Sequence, residues 1–170
     1  MKEFLKNIYY LLKNKNFSQA GEEKILLKVF KNKKKGFYID VGCHHPKRFS
    51  NTAALYKKGW SGINIDPDLT NLKLWNLFRK RDLRLDYFIS NKEKEVQYHI
   101  FKDKALNGNL KKDRIKILKN LGHKLQKTKK LKTITLDKIL KTYRPELNEI
   151  DLLDIDVEGY DLDVLKSINL

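Results

Sequence analysis

Phe37-Tyr38-Ile39-Asp40-Val41-Gly42-Cys43 decides the fold. A short apolar, β-rich run ends in an acid, and a glycine follows two positions later. A strand that stops this way lets the next turn pass close to a ligand, because Gly42 has no Cβ to block it. The stretch from Ser50 to Lys58 reads as a helix, with Ser50 or Asn51 at its start and Gly59 just past its end. Strand, tight turn and helix is how doubly wound α/β domains hold a nucleotide at the carboxyl ends of their strands. A second strand, Gly62-Ile63-Asn64-Ile65, ends in Asp66 and is stopped by Pro67. An acid there suits the two hydroxyls of a ribose.

Outward from this core, Ser18 is placed to cap a helix with Glu22 and Glu23 in its first turns and Ile25, Leu26, Val29 and Phe30 as its apolar stripe. Residues 3–13 read as an amphipathic, lysine-bearing helix. Downstream, a helix is expected over about 69–79 and strands over 83–89, 96–101, 131–136 and 150–155. Short helices follow Asp137 and Gly159, the last burying Leu162, Val164, Leu165 and Ile168. Residues 102–130 read as a basic insertion over the active face. The domain division expected is a helical segment over 1–35 and a cofactor-binding domain over 36–170.

The chain has 170 residues, enough for one domain with a real core. Its 37 Lys and Arg against 21 Asp and Glu give a net charge of +16, which raises the prior for anionic partners; coding bias and solvation account for it better than a dedicated nucleic-acid face does. No stretch approaches the ~20 apolar residues of a membrane span, and no signal-peptide pattern opens the chain. With one cysteine, Cys43, an internal disulfide is excluded, and a cytoplasmic protein is the simplest expectation. Cys43, Trp60 and Trp75 read as core. His44 and His45 are adjacent in a turn and lack clean ligand spacing, so no metal is expected.

Three acid clusters fall in order at predicted strand ends: Asp40-Val41-Gly42, Ile65-Asp66-Pro67, and Asp154-Ile155-Asp156-Val157-Glu158-Gly159. The glycines of a pyrophosphate loop are missing after strand one, which points to a cofactor without phosphate, S-adenosylmethionine. With Ser50-Asn51-Thr52, Gly59-Trp60-Ser61-Gly62, Thr135-Leu136-Asp137 and Ser18-Gln19-Ala20-Gly21-Glu22-Glu23, this ordered set resembles the FkbM family of S-adenosylmethionine-dependent methyltransferases. The resemblance implies an α/β, Rossmann-like class I methyltransferase fold, with a sheet short of strands at the C-terminus, and O-methylation of a sugar, glycan or small-metabolite hydroxyl. By position it places Asp40 and Gly42 at the methionine end of the cofactor and Asp66 on the ribose. It also puts Pro67 at the adenine, Ser90 near the base, and Asn51 and Thr52 on the amino-acid part. Asp156 and Glu158 would face the transferred methyl. His44 or His45 stands where a second glycine is usual and is expected to cover the cofactor, with His45 also a candidate base. An open sheet edge is expected to favour a homodimer. Two other classes stay open: an RNA methyltransferase, which the charge favours, and a binding module that keeps the fold without catalysis.

Overall fold

The computed structural model describes residues 16–68 and 72–169. The helix expected over 3–13 lies outside these residues. The chain forms two units: one runs to Asp86 and includes Asn148–Asp154, and the other comprises Tyr87–Leu147 and the segment from Ile155 on.

The first unit is built on β1 (Phe37–Val41), β2 (Ser61–Ile65), β3 (Leu83–Leu85) and all but the last residue of β7 (Leu152–Ile155), strands in the order β3-β2-β1-β7. β1 pairs with β2 and β2 with β3, both parallel. The last four residues of β1 and of β2 are all buried, as expected of central parallel strands covered on both faces. Helices α1 (Glu22–Val29), α2 (Ala53–Lys58) and α3 (Leu72–Phe78) complete the unit.

Close approach of β1 and β2 fixes the residue at position 62. A Cβ there would stand 2.2 Å from the carbonyl oxygen of Tyr38, backbone that has little room to yield. Tyr38, Leu55 and Trp60 form a fully buried cluster under Leu26, Phe30, Tyr56 and Leu152. Phe30 meets the Trp60 ring edge-on at 4.8 Å. The face α1 buries is therefore Glu23, Leu26 and Phe30; Ile25 and Val29, expected in its stripe, are 66% and 67% exposed. Ser18 does serve this helix, though not at the N-cap. Gly21 takes that position, and the Ser18 hydroxyl accepts from the backbone N–H of Gly21 at 3.1 Å and of Glu23 at 3.4 Å.

The second unit carries β4 (Phe88–Ile89), β5 (Glu95–Phe101) and β6 (Leu125–Ile134), in the order β4-β6-β5, with α4 (Lys112–Asn120), α5 (Leu136–Tyr143) and α6 (Asp161–Leu165). Three expectations are corrected here. The strand expected over 83–89 is two strands in different sheets, interrupted at Asp86 and Tyr87. The strand expected from Leu131 begins at Leu125, because residues 125–130 pair antiparallel with β5 from Phe101 back to Gln97. Of the apolar face assigned to the last helix, Val164 and Ile168 are buried, whereas Leu162 and Leu165 are 60% and 44% exposed. Phe88, Val96, Tyr98 and Ile100 form the local core against Leu131.

The β1–β2 contact yields a direct stability test. Gly62→Ala is expected to lower unfolding free energy by at least about 3 kcal/mol, since backbone must move to admit the methyl. Ile25→Ser on the exposed side of α1 is expected to stay within about 0.5 kcal/mol of the parent. Urea unfolding of both variants measures the contrast.

Candidate active site

The turn after β1 is clamped across the end of β2. Gly42 adopts a left-handed φ of 91°. Its N–H donates to the Ile65 carbonyl at 2.8 Å, and that of Cys43 donates to the same oxygen at 3.4 Å. The His44 N–H then donates to Asp66 Oδ2 at 3.0 Å, and Asp68 N–H reaches Asp66 Oδ1 at 2.7 Å. Pro67 follows Asp66 in the half-buried turn. His44 itself has φ 43°, unusual for a residue with a Cβ, and Phe49 has φ 58°.

His45 is buried, and its Nδ1 accepts from the backbone N–H of Lys47 at 3.1 Å and of Arg48 at 3.0 Å. The ring proton therefore sits on Nε2, which is buried without a hydrogen-bond partner among the described residues. Burial, with help from the nearby charges of His44 and Arg48, lowers the His45 pKa to about 4. The ring presents a donor, and its basic nitrogen is already occupied.

Asp40, near the end of β1, is buried, and its Oδ2 accepts from the Thr52 hydroxyl at 2.5 Å. Burial and the charge of Asp154 push its pKa up to about 7, against the Thr52 hydrogen bond and the Arg79 charge. Asn51 donates its side-chain amide to Asp154 Oδ1 at 3.2 Å. Two carboxylates thus influence one another beside a half-buried amide, an arrangement that favours a cation. Burial, then Asp40 and Asp66, push the Cys43 thiol well up, so it stays a neutral buried group.

Beneath these residues lies a polar network that the sequence reading missed. Arg79 is 1% exposed. Its Nε donates to Asp82 Oδ2 at 2.7 Å, Nη1 to the Pro46 carbonyl at 3.1 Å, and Nη2 to Thr52 Oγ1 and Tyr38 Oη, each at 2.8 Å, and to Asn64 Oδ1 at 3.1 Å. Asp82 in turn accepts from Tyr38 Oη at 2.6 Å, Asn64 Nδ2 at 2.9 Å and Gly62 N–H at 3.0 Å. Burial opposes the charge on Arg79, but Tyr38, Asp82 and Asp40 outweigh it and hold the guanidinium protonated. Asn64 was the available signal: a polar side chain inside a strand buried on both faces demands a partner.

Eight of the sequence-predicted residues therefore fall in the first unit: Asp40, Gly42, His44, His45, Asn51, Thr52, Asp66 and Pro67. Ser90, Asp156 and Glu158 fall in the second. Ser90 is fully buried, and its hydroxyl has no hydrogen-bond partner among the described residues. Asp156 follows β7 directly and is exposed. Glu158, also exposed, holds φ 53° and lies 3.8 Å from Arg114. The Asp161 carboxylate accepts from Val157 N–H and Gly159 N–H, each at 3.2 Å, and so braces this loop. Among the described residues, no group of three or more His, Cys, Asp or Glu is arranged to hold a metal ion.

The Methyltransferase FkbM domain model matches residues 40–170, and the chain belongs to that family of methyltransferases. No curated protein and no solved structure matches it. The matched span begins at Asp40 and takes in Asp66, Asp154, Asp156 and Glu158. None of the described helices is long and apolar enough to cross a membrane.

The Arg79 network yields its own test. Arg79→Met leaves Asp82 buried without its cation and is expected to cost about 3–5 kcal/mol. Adding Asp82→Asn is expected to recover at least about 1 kcal/mol of that loss, because the stranded charge goes with it. A double-mutant cycle in urea measures the coupling; strictly additive losses would contradict it.

Proposed function

We propose that this methyltransferase uses S-adenosylmethionine and transfers its methyl group to a hydroxyl of a sugar, glycan or small metabolite. The observation that carries the cofactor reading is the Asp40 carboxylate. It is buried near the end of β1, accepts from Thr52, and is pushed up by burial and by Asp154 although the Arg79 charge acts the other way. S-adenosylmethionine brings an ammonium and a sulfonium, the charges this arrangement favours. The turn after β1 carries one glycine rather than the set that cradles a pyrophosphate, which supports the same choice.

When bound, the cofactor supplies an electrophilic methyl carbon. The chain's residues divide the remaining work. Asp40, held as an acceptor by Thr52, takes the ammonium, with Asn51 beside it on Asp154. Gly42 lets the turn pass close to the ligand. Asp66, already oriented by the N–H groups of His44 and Asp68, takes the ribose hydroxyls, and Pro67 shapes the adenine side. His45 enters as a buried Nε2–H donor covering the cofactor rather than as a base, because its Nδ1 is occupied and its pKa is low. Ser90, with its unpartnered hydroxyl, is assigned to the base. Asp156 and Glu158, in the second unit, are assigned to the acceptor: either would position its hydroxyl or take its proton. Most of the acceleration comes from in-line alignment, which a half-buried frame of strand ends is suited to provide.

Calorimetric titration with S-adenosylmethionine tests the reading. Saturable binding is expected at pH 8, weakened at least about tenfold by Asp66→Ala, which removes charge-assisted hydrogen bonds. Asp40 is raised to about 7, so it is half ionised at that pH, approaches full ionisation at higher pH and loses its charge as the pH falls through that value. Affinity is therefore expected to drop toward pH 6, approaching a tenfold loss per unit well below the pKa. Asp40→Asn is expected to bind weakly and without that pH dependence. A folded parent protein that shows no saturable heat would overturn the proposal.

A further inference from the structure

Positive charge is concentrated in one part of the second unit. Residues 102–132 contain twelve of the 37 Lys and Arg and two of the 21 acids. All of the twelve except Lys129 are exposed. This stretch is the excursion from β5 through α4 into β6. Lys130 pairs with Glu95 at 2.7 Å and Arg114 with Glu158 at 3.8 Å, and with twelve basic residues against two acids the stretch is strongly positive in its own sequence.

The same stretch exposes aliphatic surface. In α4 and the residue that ends it, Ile117 is 51% and Leu121 70% exposed, while Leu118 is the buried side chain. Ile117 and Leu121 are four residues apart and so adjoin on one flank of the helix, with Arg114 one turn before them. An aliphatic pair gains nothing from a purely polyanionic partner. Nucleic-acid surfaces that grip single strands add aromatic platforms, and residues 102–132 contain no Phe, Tyr or Trp. Basic residues around exposed aliphatics are instead the pattern of a segment lying on an anionic bilayer.

We propose that α4 and its flanking lysines dock this protein on an anionic lipid surface. Ile117 and Leu121 enter the boundary between headgroups and acyl chains, and the surrounding ammonium groups neutralise lipid phosphates and carboxylates. Neither contribution suffices alone, since a short helix with two aliphatic side chains buries little area and lysines alone are screened by salt. Through Arg114, α4 also contacts the Glu158 loop, so docking brings that loop to headgroup level. That last consequence rests on the methyl-transfer reading; lipid binding itself does not, and the two fail separately.

The test is co-sedimentation of the full chain with vesicles of phosphatidylcholine alone and with about 30% phosphatidylserine, at low salt and at roughly 0.15 M salt. Binding is expected only with the anionic lipid and is expected to weaken with salt. Ile117→Ser with Leu121→Ser is expected to lower the partition coefficient about tenfold at both salt levels. Lys116→Glu with Lys119→Glu is expected to remove most of the salt-sensitive part. All four positions are exposed, so unchanged thermal melting is expected to confirm folding in each variant. Absence of binding to anionic vesicles, equal binding to neutral ones, or binding unaffected by the α4 substitutions would overturn the proposal. So would loss of vesicle binding to a competing RNA homopolymer with no effect of the two serines, which would assign the charge to nucleic acid.

Discussion

The pairing of Arg79 with Asp82 inside the first unit is the constraint on which the candidate site depends. A guanidinium and a carboxylate withdrawn from water carry a desolvation cost of several kcal/mol per ion, offset only when their hydrogen-bonding capacity is well used. Here the fork of Arg79 spans β1 through Tyr38, β2 through Asn64, the turn through Pro46 and the start of α2 through Thr52. Asp82 closes the network on Tyr38, Asn64 and the Gly62 N–H. Four separate segments are thereby held to one rigid planar group. A lysine, with a point charge on a flexible stem, has no equivalent geometry.

This network reaches Asp40 and the turn after β1 in a single step. Thr52 accepts from Arg79 and passes its own proton toward Asp40, so the orientation of the Asp40 carboxylate is inherited from the buried pair. Pro46, held by Nη1, fixes the middle of the turn whose earlier part rests on Ile65 and Asp66. The positive φ values of His44 and Phe49 mark backbone that would relax elsewhere and is kept in place by these clamps. Rigidity in the supporting layer and strain in the covering turn are complementary: one fixes the strand-end acids, the other aims backbone N–H groups and the His45 ring.

Much of this was legible in the sequence where local rules and packing agree. The two parallel strands, their terminal acids, the Gly59 helix stop and the buried tryptophans all followed from runs that burial on both faces demands. The helix stripe of α1 misled because Ile25 and Val29 fit the period as well as Leu26 and Phe30 do, and only contact with Trp60 chooses between the two registers. The first half of β6 was hidden by its lysines. Cross-strand pairing with β5 outweighs composition there, and Lys129 lays its ammonium over the Tyr98 ring at 5.3 Å. Arg79 and Asp82 were invisible for a different reason: they stand in a basic run that reads as solvated surface, and their partners come from segments distant in the chain.

The most direct measurement of the central claim is a crystal structure of the protein with S-adenosylhomocysteine. The account requires the ribose hydroxyls on the Asp66 carboxylate, the amino group near Asp40 and Asn51, and an unmoved Arg79 network beneath them. Ligand density away from the ends of β1 and β2, or a complex in which Asp40 and Asp66 make no contact with it, would contradict the account.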